Sequence, residues 1–273
     1  MNRIPPKKSL GQHFLSDPGI LRKITALCVP EPGSGLCEVG PGTGNLTAHL
    51  LDVVPHLVAI ERDPRMRLVL QERFGAKVTL HEADAADVDW PAILADLGPQ
   101  PVVCGNLPYY AAMPILFSLM ESRRRPARIV AMLQKEVADR LVARPSTPDY
   151  GQVSVKLQLL ADIRIAFGVK PGSFSPPPKV DSAVVVMTPL AAPRFDVPDL
   201  PRFSSLVTAG FGVRRKTLAN ALQVGLALPP DTTRAALRGM GIDERVRGEA
   251  LTVAQWTALA RALPRHAVDA GVA

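Results

Sequence analysis

Short apolar runs alternate with helix-length amphipathic segments through the first half of the chain. The runs have the length and the β-branched content of buried strands, and the segments between them place apolar residues at helical spacing. Strands are predicted at residues 35–39, 56–60, 77–81, 101–104 and 129–133, and helices at 46–51 and 114–120. Further helix starts are predicted at residues 16–18 and 63–64, where an acidic residue precedes a proline. Strands separated by helix-length segments predict a parallel, doubly wound α/β sheet.

The pattern changes after residue 150. Two more strands are predicted at 162–169 and 180–187, separated by the stiff, proline-rich turn 175–178. Residues 189–201 are rich in proline and lack periodicity, which indicates a linker. Short helices are predicted beyond it at residues 203–213, 217–222, 231–240 and 253–263. We therefore expect a domain at 1–189 that contains the sheet and a small helical C-terminal domain at 190–273.

The charge of the chain narrows the choice of partners. A net charge of +7 and an isoelectric point of about 9.6 favour an acidic partner, nucleic acid first and a membrane surface second. The excess is spread along the chain, so a nucleic-acid surface must be assembled by folding, and a generic solvated surface is the alternative. No apolar run approaches the roughly 20 residues of a membrane helix, and the N-terminus lacks the apolar core of a signal peptide. These features predict a cytoplasmic protein that does not act at a membrane.

The three cysteines, Cys28, Cys37 and Cys104, lie far apart in the sequence. No pair has the spacing of zinc ligands, and no neighbouring histidine completes a site. We expect three reduced, buried thiols and no metal site.

A glycine-rich turn, EVGPGTG at residues 38–44, follows the first predicted strand and precedes a helix. Glycines permit positive φ and the close approach of a ligand to the backbone, which makes Gly40 and Gly42 candidate cofactor contacts. The turn alone is weak evidence, because NAD-binding folds place G-x-G-x-x-G at the same position.

Acidic residues at the next two strand ends sharpen the choice of cofactor. Glu61 closes the second strand, 21 residues after Gly40, where a carboxylate can hold two ribose hydroxyls. Asp84 follows the third strand and can accept a hydrogen bond from an adenine amine. One acid for the ribose and one for the adenine, with no phosphate to hold, suits S-adenosylmethionine better than a dinucleotide. The alternatives are that Asp84 caps a turn and that Glu61 pairs with Arg62 or Arg65.

The run Asn106-Leu107-Pro108-Tyr109 lies at the end of the fourth predicted strand, where ligands bind in such sheets. An exocyclic amine is a poor nucleophile because its lone pair is delocalised into the ring. The side-chain oxygen of Asn106 and a main-chain carbonyl near Leu107 can accept its two N–H bonds and direct the lone pair at a methyl group. Pro108 stiffens the turn, and Tyr109 offers a face for the base to stack on. An ordinary turn is the alternative.

These motifs together resemble the ribosomal RNA adenine N6,N6-dimethyltransferases, and within them the bacterial small-subunit (16S) KsgA family. The resemblance covers about residues 8–260. It rests on SLGQHFL at 9–15, EVGPGTG at 38–44, NLPY at 106–109, LQKEV at 133–137, YG at 150–151, FSPPPKVDS at 174–182 and FGVRRKTL at 211–218. It implies a class I methyltransferase fold, which is a doubly wound, mostly parallel, seven-stranded α/β sheet followed by a small C-terminal all-α domain. Residues 1–189 would then bind the cofactor.

The resemblance also implies an activity and its partners. The cofactor would be S-adenosyl-L-methionine, and two adjacent adenosines in the 3′-terminal hairpin of 16S rRNA would be dimethylated at N6 with four cofactor molecules. The RNA would be bound within the small ribosomal subunit or its precursor during ribosome biogenesis, by a protein that we expect to be a monomer.

The resemblance implies particular site residues as well. The implied cofactor contacts are His13, Leu15, Gly40, Glu61, Asp84 and Asn106. The implied base pocket consists of Asn106, Leu107 and Tyr109, with Phe174 over the other face of the base. Position 13 is often Asn in this family and is His here. If the contact runs through the side chain, the carboxylate end of the cofactor is held differently.

Several assignments remain open at this level. Candidate phosphate contacts are Arg123, Arg124, Arg125, Arg128, Arg214, Arg215 and Lys216. A solvated basic face is the alternative. The nearest rival function is that of the large-subunit rRNA adenine methyltransferases of macrolide resistance, against which segments 174–182 and 211–218 favour the small-subunit enzyme. Two rivals from different functional classes are a nicotinamide oxidoreductase and a non-catalytic ribosome-assembly factor.

Overall fold

The computed structural model describes residues 12–108, 111–213 and 215–264. The described chain forms two compact units, one from the residues up to 138 together with 162–189, and one from 139–161 together with the residues after 189. Residues 139–161 belong to the second unit because the helix Gln152–Leu160 packs on other helices of that unit. The domains expected at 1–189 and 190–273 stay a prediction.

The first unit is built on a seven-stranded sheet. The nine described strands are β1 (Phe14–Leu15), β2 (Leu36–Val39), β3 (Leu57–Glu61), β4 (Val78–Glu82), β5 (Val102–Asn106), β6 (Arg128–Gln134), β7 (Ala161–Val169), β8 (Phe174–Ser175) and β9 (Ser182–Pro189). The large sheet has the order β4-β3-β2-β5-β6-β9-β7, and β1 pairs with β8 in a separate antiparallel ribbon. The neighbours from β4 to β6 run parallel, whereas β9 runs antiparallel to β6. The prediction of a mostly parallel, doubly wound sheet is confirmed.

The central strands are almost wholly buried because helices cover both faces of the sheet. Strands β2 and β3 are buried at every position, whereas the edge strand β4 is largely exposed. The seven strands predicted from the sequence all form, and each end lies within two residues of its predicted position.

Capping side chains explain where several of the helices begin. The described helices are α1 (Pro18–Cys28), α2 (Asn45–Leu50), α3 (Arg65–Phe74), α4 (Trp90–Ala95), α5 (Ala112–Glu121), α6 (Lys135–Val142), α7 (Gln152–Leu160), α8 (Leu200–Gly212), α9 (Leu218–Leu226), α10 (Pro230–Gly239) and α11 (Val253–Ala262). Helix α1 starts where the Asp17 side chain accepts hydrogen bonds from the main-chain N–H groups of Gly19 (2.8 Å) and Ile20 (3.1 Å). Helix α11 starts at a capping box between Thr252 and Gln255.

Three features differ from the sequence prediction. The linker was expected to extend to residue 201, but Asp199 caps helix α8 through the N–H of Arg202 (3.0 Å), so the helix begins at Leu200. Helices α4, α6 and α7 were not predicted. The β1–β8 ribbon was also missed, because two-residue strands carry no detectable periodicity. In the part of the chain that the structure describes, no helix is long and apolar enough to cross a membrane.

Candidate active site

A cavity opens at the carboxyl ends of the parallel strands, the edge at which such sheets bind ligands. Its walls come from the segment before α1, the glycine turn after β2, and the ends of β3, β4 and β5. The lining residues are Gln12, His13, Phe14, Val39, Gly40, Gly42, Ile60, Glu61, Arg62, Ala83, Asp84, Ala85, Asn106, Leu107, Pro108, Ala111 and Ile115. The structure therefore brings together the glycine turn, both predicted acids and the Asn-Leu-Pro run.

The glycine turn has backbone angles that favour glycine. Gly40, Gly42 and Gly44 have φ values of 68°, 54° and 82°. A Cβ atom on Gly42 would lie 2.9 Å from the Phe14 ring, and one on Gly44 would overlap the Phe74 ring. The turn is thus clamped between two aromatic rings. A Cβ on Gly40 would meet only the Asn106 carbonyl, at 3.8 Å, so this part of the backbone borders open cavity.

Glu61 is the most constrained carboxylate in the cavity wall. It is 8% exposed, and its two oxygens accept hydrogen bonds from the main-chain N–H groups of Gly42 (3.0 Å) and Asp63 (2.8 Å). Burial raises the pKa of Glu61, and the two N–H groups act in the opposite direction. Each carboxylate oxygen has two lone pairs, so these bonds orient Glu61 and still allow it to accept bonds from ribose hydroxyls.

The arginines that the sequence offered as partners for Glu61 contact other acids. Arg62 pairs with Asp84 at 2.9 Å, and Arg65 pairs with Asp63 at 2.6 Å. The Arg65 guanidinium holds the pKa of Asp63 at about 2, well below its usual range. Asp84 also accepts a hydrogen bond from the N–H of Ala86 (3.0 Å), so it caps a turn while lining the cavity. Asp84 therefore caps a turn, as the structural alternative expected, and its contact with the adenine of the cofactor stays a prediction.

Asn106 lies at the end of β5 with its amide held from one side. Its Nδ2 donates a hydrogen bond to the main-chain carbonyl of His13 at 2.9 Å. Leu107 follows it in the cavity wall, only 4% exposed, and its N–H donates to the carbonyl of Met132 at 3.2 Å. Tyr109, the predicted stacking residue, lies outside the described residues.

Two predicted site residues are not brought to the cavity. Leu15 and Phe174 face each other in the β1–β8 ribbon, and each is 4% exposed within the hydrophobic core of the first unit. Neither residue lines the cavity, because both side chains pack in that core. The main-chain carbonyl of Leu15 accepts a hydrogen bond from Asn45 Nδ2 at 2.8 Å. The roles assigned to these two residues stay predictions.

The structure adds residues that sequence reasoning did not assign to the site. Gln12 and Phe14 line the cavity, and both belong to the SLGQHFL motif, which was the available signal. Gln12 Nε2 donates to Asp63 at 2.9 Å, which ties the segment before α1 to the loop after β3. Arg62 and Ala85 complete the wall but carry no sequence signal of their own.

Glu38 lies beneath the glycine turn and does not line the cavity. It is 1% exposed and accepts a hydrogen bond from Thr47 Oγ1 at 2.6 Å. Burial raises the pKa of Glu38 to about 8, so the carboxyl group is mainly protonated at neutral pH. The bond to Thr47 joins β2 to α2 across the base of the turn.

The residues in the cavity fit S-adenosylmethionine. Open backbone at Gly40 and the oriented carboxylate of Glu61 suit a nucleoside whose ribose hydroxyls are free. Among residues 12–108, 111–213 and 215–264, no cluster of three or more His, Cys, Asp or Glu side chains could hold a metal ion. The sheet order and this site define a class I, S-adenosylmethionine-dependent methyltransferase.

The particular family follows from comparison with known proteins. The chain belongs to the ribosomal RNA adenine dimethylase family, whose model matches residues 5–264. It is 46% identical over 265 residues to the ribosomal RNA small subunit methyltransferase A of Anaeromyxobacter sp. (strain K), covering 94% of this chain and 93% of that protein. It is 43% identical over 264 residues to the protein of the same name from Geobacter sulfurreducens, covering 95% and 96%.

Solved structures agree with this assignment. A dimethyladenosine transferase from Plasmodium falciparum superposes with a TM-score of 0.76 at 26% identity, covering 90% of this chain and 96% of the other. The 23S rRNA methyltransferase ErmE superposes with a TM-score of 0.68 at 26% identity, covering 92% and 99%.

Proposed function

We propose that this protein transfers methyl groups from S-adenosylmethionine to N6 of two adjacent adenosines in the 3′-terminal hairpin of 16S rRNA. The product is a pair of N6,N6-dimethyladenosines, formed in the cytoplasm during assembly of the small ribosomal subunit. The family assignment supports adenine dimethylation, and the names of the curated relatives support the small subunit as the substrate.

The orientation of Asn106 is the observation that carries the proposal. The carbonyl of His13 can only accept a hydrogen bond, so the Asn106 amide presents its NH2 group to it and directs Oδ1 elsewhere. Oδ1 then accepts an N–H bond from the adenine amine, and a second acceptor near Leu107 completes the positioning. The lone pair of the amine nitrogen is directed at the methyl carbon.

The chemistry requires positioning more than a strong base. S-adenosylmethionine supplies a methyl group on a positively charged sulfur, which is a good leaving group. An N–C bond forms as the C–S bond breaks, and the nitrogen releases its proton to solvent afterwards. Holding the reactants in a reactive geometry is therefore the main catalytic contribution of the protein.

Six residues form the donor half of the site in this proposal. Gly40 and Gly42 bring the backbone close to the cofactor, Glu61 accepts bonds from the ribose hydroxyls, and Asp84 accepts one from the adenine amine of the cofactor. His13 contacts the cofactor through its main chain, at the wall formed by the segment before α1. The Leu15 side chain is buried in the core, so Leu15 contributes to the site by fixing the main chain of the residues beside it.

Aromatic residues form the acceptor half. Tyr109 stacks on one face of the target base. Phe174 is packed in the core, so its contact with the other face requires that residues 174–178 move when RNA binds. The target adenosine must leave its own stack to enter the pocket.

A basic surface of the second unit is suited to rRNA phosphates. Arg215 and Lys216 are exposed in the turn after α8, and Arg214 lies outside the described residues. The N–H of Leu218 donates to the carbonyl of Val246 (2.8 Å), which brings this turn next to the exposed Arg247. Exposed cations on adjacent loops offer the phosphate contacts on which RNA affinity depends.

The candidate phosphate contacts in the first unit do not all have the same role. Arg124 donates to the carbonyl of Gly98 (2.6 Å) and Arg128 to that of Leu27 (2.9 Å), which favours a structural role for both. Arg123 is exposed and remains a candidate phosphate contact.

Methylation of isolated ribosomal subunits tests the proposal. The purified protein is incubated with labelled S-adenosylmethionine and with 30S or 50S particles that lack the modification, and the methylated nucleotides are mapped by mass. We expect two N6,N6-dimethyladenosines at the 3′ end of 16S rRNA and no product on 50S particles. The Asn106→Ala variant should fold normally and lose roughly a thousandfold or more in transfer rate, since positioning is the main source of catalysis.

Three outcomes would contradict the proposal. Product on 50S particles alone would refute the substrate. Tight binding to 30S particles without transfer by the wild-type protein would indicate an assembly factor. Near-normal transfer by Asn106→Ala would refute the catalytic assignment.

A further inference from the structure

The segment of residues 12–15, called here the strap, contacts the loop after β3, the glycine turn, Asn106 and the proline-rich turn. Gln12 bonds to the loop after β3 through Asp63, and the ring of Phe14 packs on Gly42 of the glycine turn. His13 has the central position, because it lines the cavity and makes two hydrogen bonds of 2.9 Å to the acceptor side.

The first of these bonds concerns the Asn106 amide. The two ends of a carboxamide are nearly the same size, so packing alone does not select the orientation that places oxygen toward the substrate. The main-chain carbonyl of His13 does select it, because this acceptor repels Oδ1 and attracts the Nδ2 hydrogens. If the amide were reversed, its NH2 group would face the adenine amine, and two donors would oppose each other.

The second bond concerns the proline-rich turn. Nδ1 of His13 lies 2.9 Å from the main-chain carbonyl of Pro176. A carbonyl accepts only, so Nδ1 carries the hydrogen and donates it. The β1–β8 ribbon continues this connection, with Phe14 opposite Ser175 and Leu15 opposite Phe174. The ring of His13 thus holds the 174–178 turn and its own carbonyl in one arrangement.

We propose that His13 is a positioning residue for the acceptor amine. Its ring is anchored on Pro176, and its carbonyl holds Asn106 in the orientation that accepts the adenine N–H. This role rests on the proposed function of Asn106 and goes beyond contact with the cofactor. Substitution of His13 should therefore affect the positioning of the amine and not the binding of the cofactor. Losing the hydrogen bond from the ring to Pro176 misplaces Asn106 and leaves the glycine turn and Glu61 unchanged.

The second methyl transfer is expected to depend on His13 more than the first. The unmethylated amine has two hydrogens and can be oriented by two acceptors. The monomethylated amine retains one hydrogen, so a misplaced Asn106 leaves it with less orientation. Loss of the anchor should therefore raise the fraction of monomethyladenosine among the products.

The test compares His13→Phe with His13→Asn in the full-length protein. Phenylalanine keeps the ring and removes the donor, whereas asparagine can place an N–H near the position of Nδ1. Cofactor affinity is measured by calorimetry with S-adenosylmethionine, and single-turnover transfer is measured on 30S particles that lack the modification. We expect His13→Phe to slow transfer roughly 10- to 100-fold and accumulate monomethyladenosine, with less than about a threefold change in cofactor Kd. His13→Asn should transfer within about threefold of the wild type.

Controls separate this role from folding and from the proposed function. His56→Phe places the same substitution at an exposed histidine that bonds to Thr79 and lies outside the cavity lining, and it should leave transfer unchanged. Thermal melting of each variant detects a folding defect. The positioning role would be overturned if His13→Phe transferred methyl groups at the wild-type rate, or if His13→Asn were impaired as strongly as His13→Phe. A loss of transfer that the change in cofactor Kd explains by itself would also overturn it. Retained activity in Asn106→Ala would instead refute the proposed function, so the two failures are distinguishable.

Discussion

The glycine turn and the strap line the same cavity and contact each other, but they are built in different ways. The turn lies within one strand-turn-helix unit, and the N–H of Gly44 donates to the carbonyl of Pro41 only three residues away (2.9 Å). The hydrogen bonds described for the strap instead join it to distant segments. They lead to Asn45, Asp63, Asn106 and Pro176, which are 30 to 163 residues away in the sequence.

This difference indicates that the glycine turn and the strap have different roles. In the proposed function, the turn and Glu61 hold a cofactor whose shape does not change between substrates, so a rigid local structure is suitable. The strap connects the cofactor wall to Asn106 and to the proline-rich turn, to which the same proposal assigns contacts with the target base. Contacts assembled from distant segments can couple these parts, whereas a local turn cannot.

The largest expected effect is on the turn itself. Gly44→Ala should reduce the free energy of unfolding by about 3 kcal/mol, because alanine is strained at a φ of 82° and its Cβ would overlap the Phe74 ring. Gly33→Ala is a matched control, since Gly33 has a φ of 81° and no atom within 4 Å of the added Cβ. The control should lose only about 1 kcal/mol in chemical denaturation. Equal losses would show that Phe74 does not clamp the turn.

A smaller effect is expected where the turn meets the cofactor. Glu61→Ala should raise the Kd for S-adenosylmethionine roughly 30-fold, equivalent to about 2 kcal/mol, because hydrogen bonds from the ribose hydroxyls to a carboxylate are lost. Asp84→Asn should have a weaker effect, because the Asp84 side chain is 26% exposed and is shared with Arg62. Calorimetric titration measures both. An unchanged Kd in Glu61→Ala would argue against the ribose contact.

The smallest expected effect is a pH dependence of the free energy of unfolding, which originates at Glu38 beneath the glycine turn. The pKa of Glu38 rises from its ordinary value of 4.5 to about 8 on folding, so the folded protein retains a proton that the unfolded chain releases. Between these two values, the free energy of unfolding therefore falls as pH rises, by about 1.4 kcal/mol per pH unit from this group. Glu38→Gln has no proton to lose, so its stability should fall less as the pH rises from about 6 to about 7.5.

Chemical denaturation of both proteins at the two pH values measures this difference. Identical slopes would mean that Glu38 titrates normally in the folded state. The hydrogen bond from Gln12 of the strap to Asp63 is not expected to share this pH dependence. The pKa of Asp63 lies at about 2, far below that window.

Much of the donor half could be predicted because it follows from local patterns. The strands before residues 40 and 62 are largely apolar, the edge strand before residue 83 alternates apolar and polar residues, and parallel strands bring their carboxyl ends to one edge. Gly40, Gly42, Glu61 and Asp84 therefore had to approach one another once the sheet was recognised. Asn106 follows from the same reasoning applied to β5.

The acceptor half was less predictable because burial and long-range pairing decide it. Phe174 was expected over the base, but the β1–β8 ribbon places it in the core opposite Leu15. Ribbon strands of two residues have no period to detect. The alternative partners of Glu61 could not be excluded either, until the structure directed Arg62 to Asp84 and Arg65 to Asp63.

By itself, the sequence determined the sheet, the glycine turn and the presence of an amide beside a proline at a strand end, since these depend on local periodicity and on residues a few positions apart. Only the tertiary structure decided the direction in which that amide points. The carbonyl of His13, 93 residues before Asn106, selects it at 2.9 Å. Such a choice depends on which acceptor the folded chain places nearby, and local sequence does not encode it.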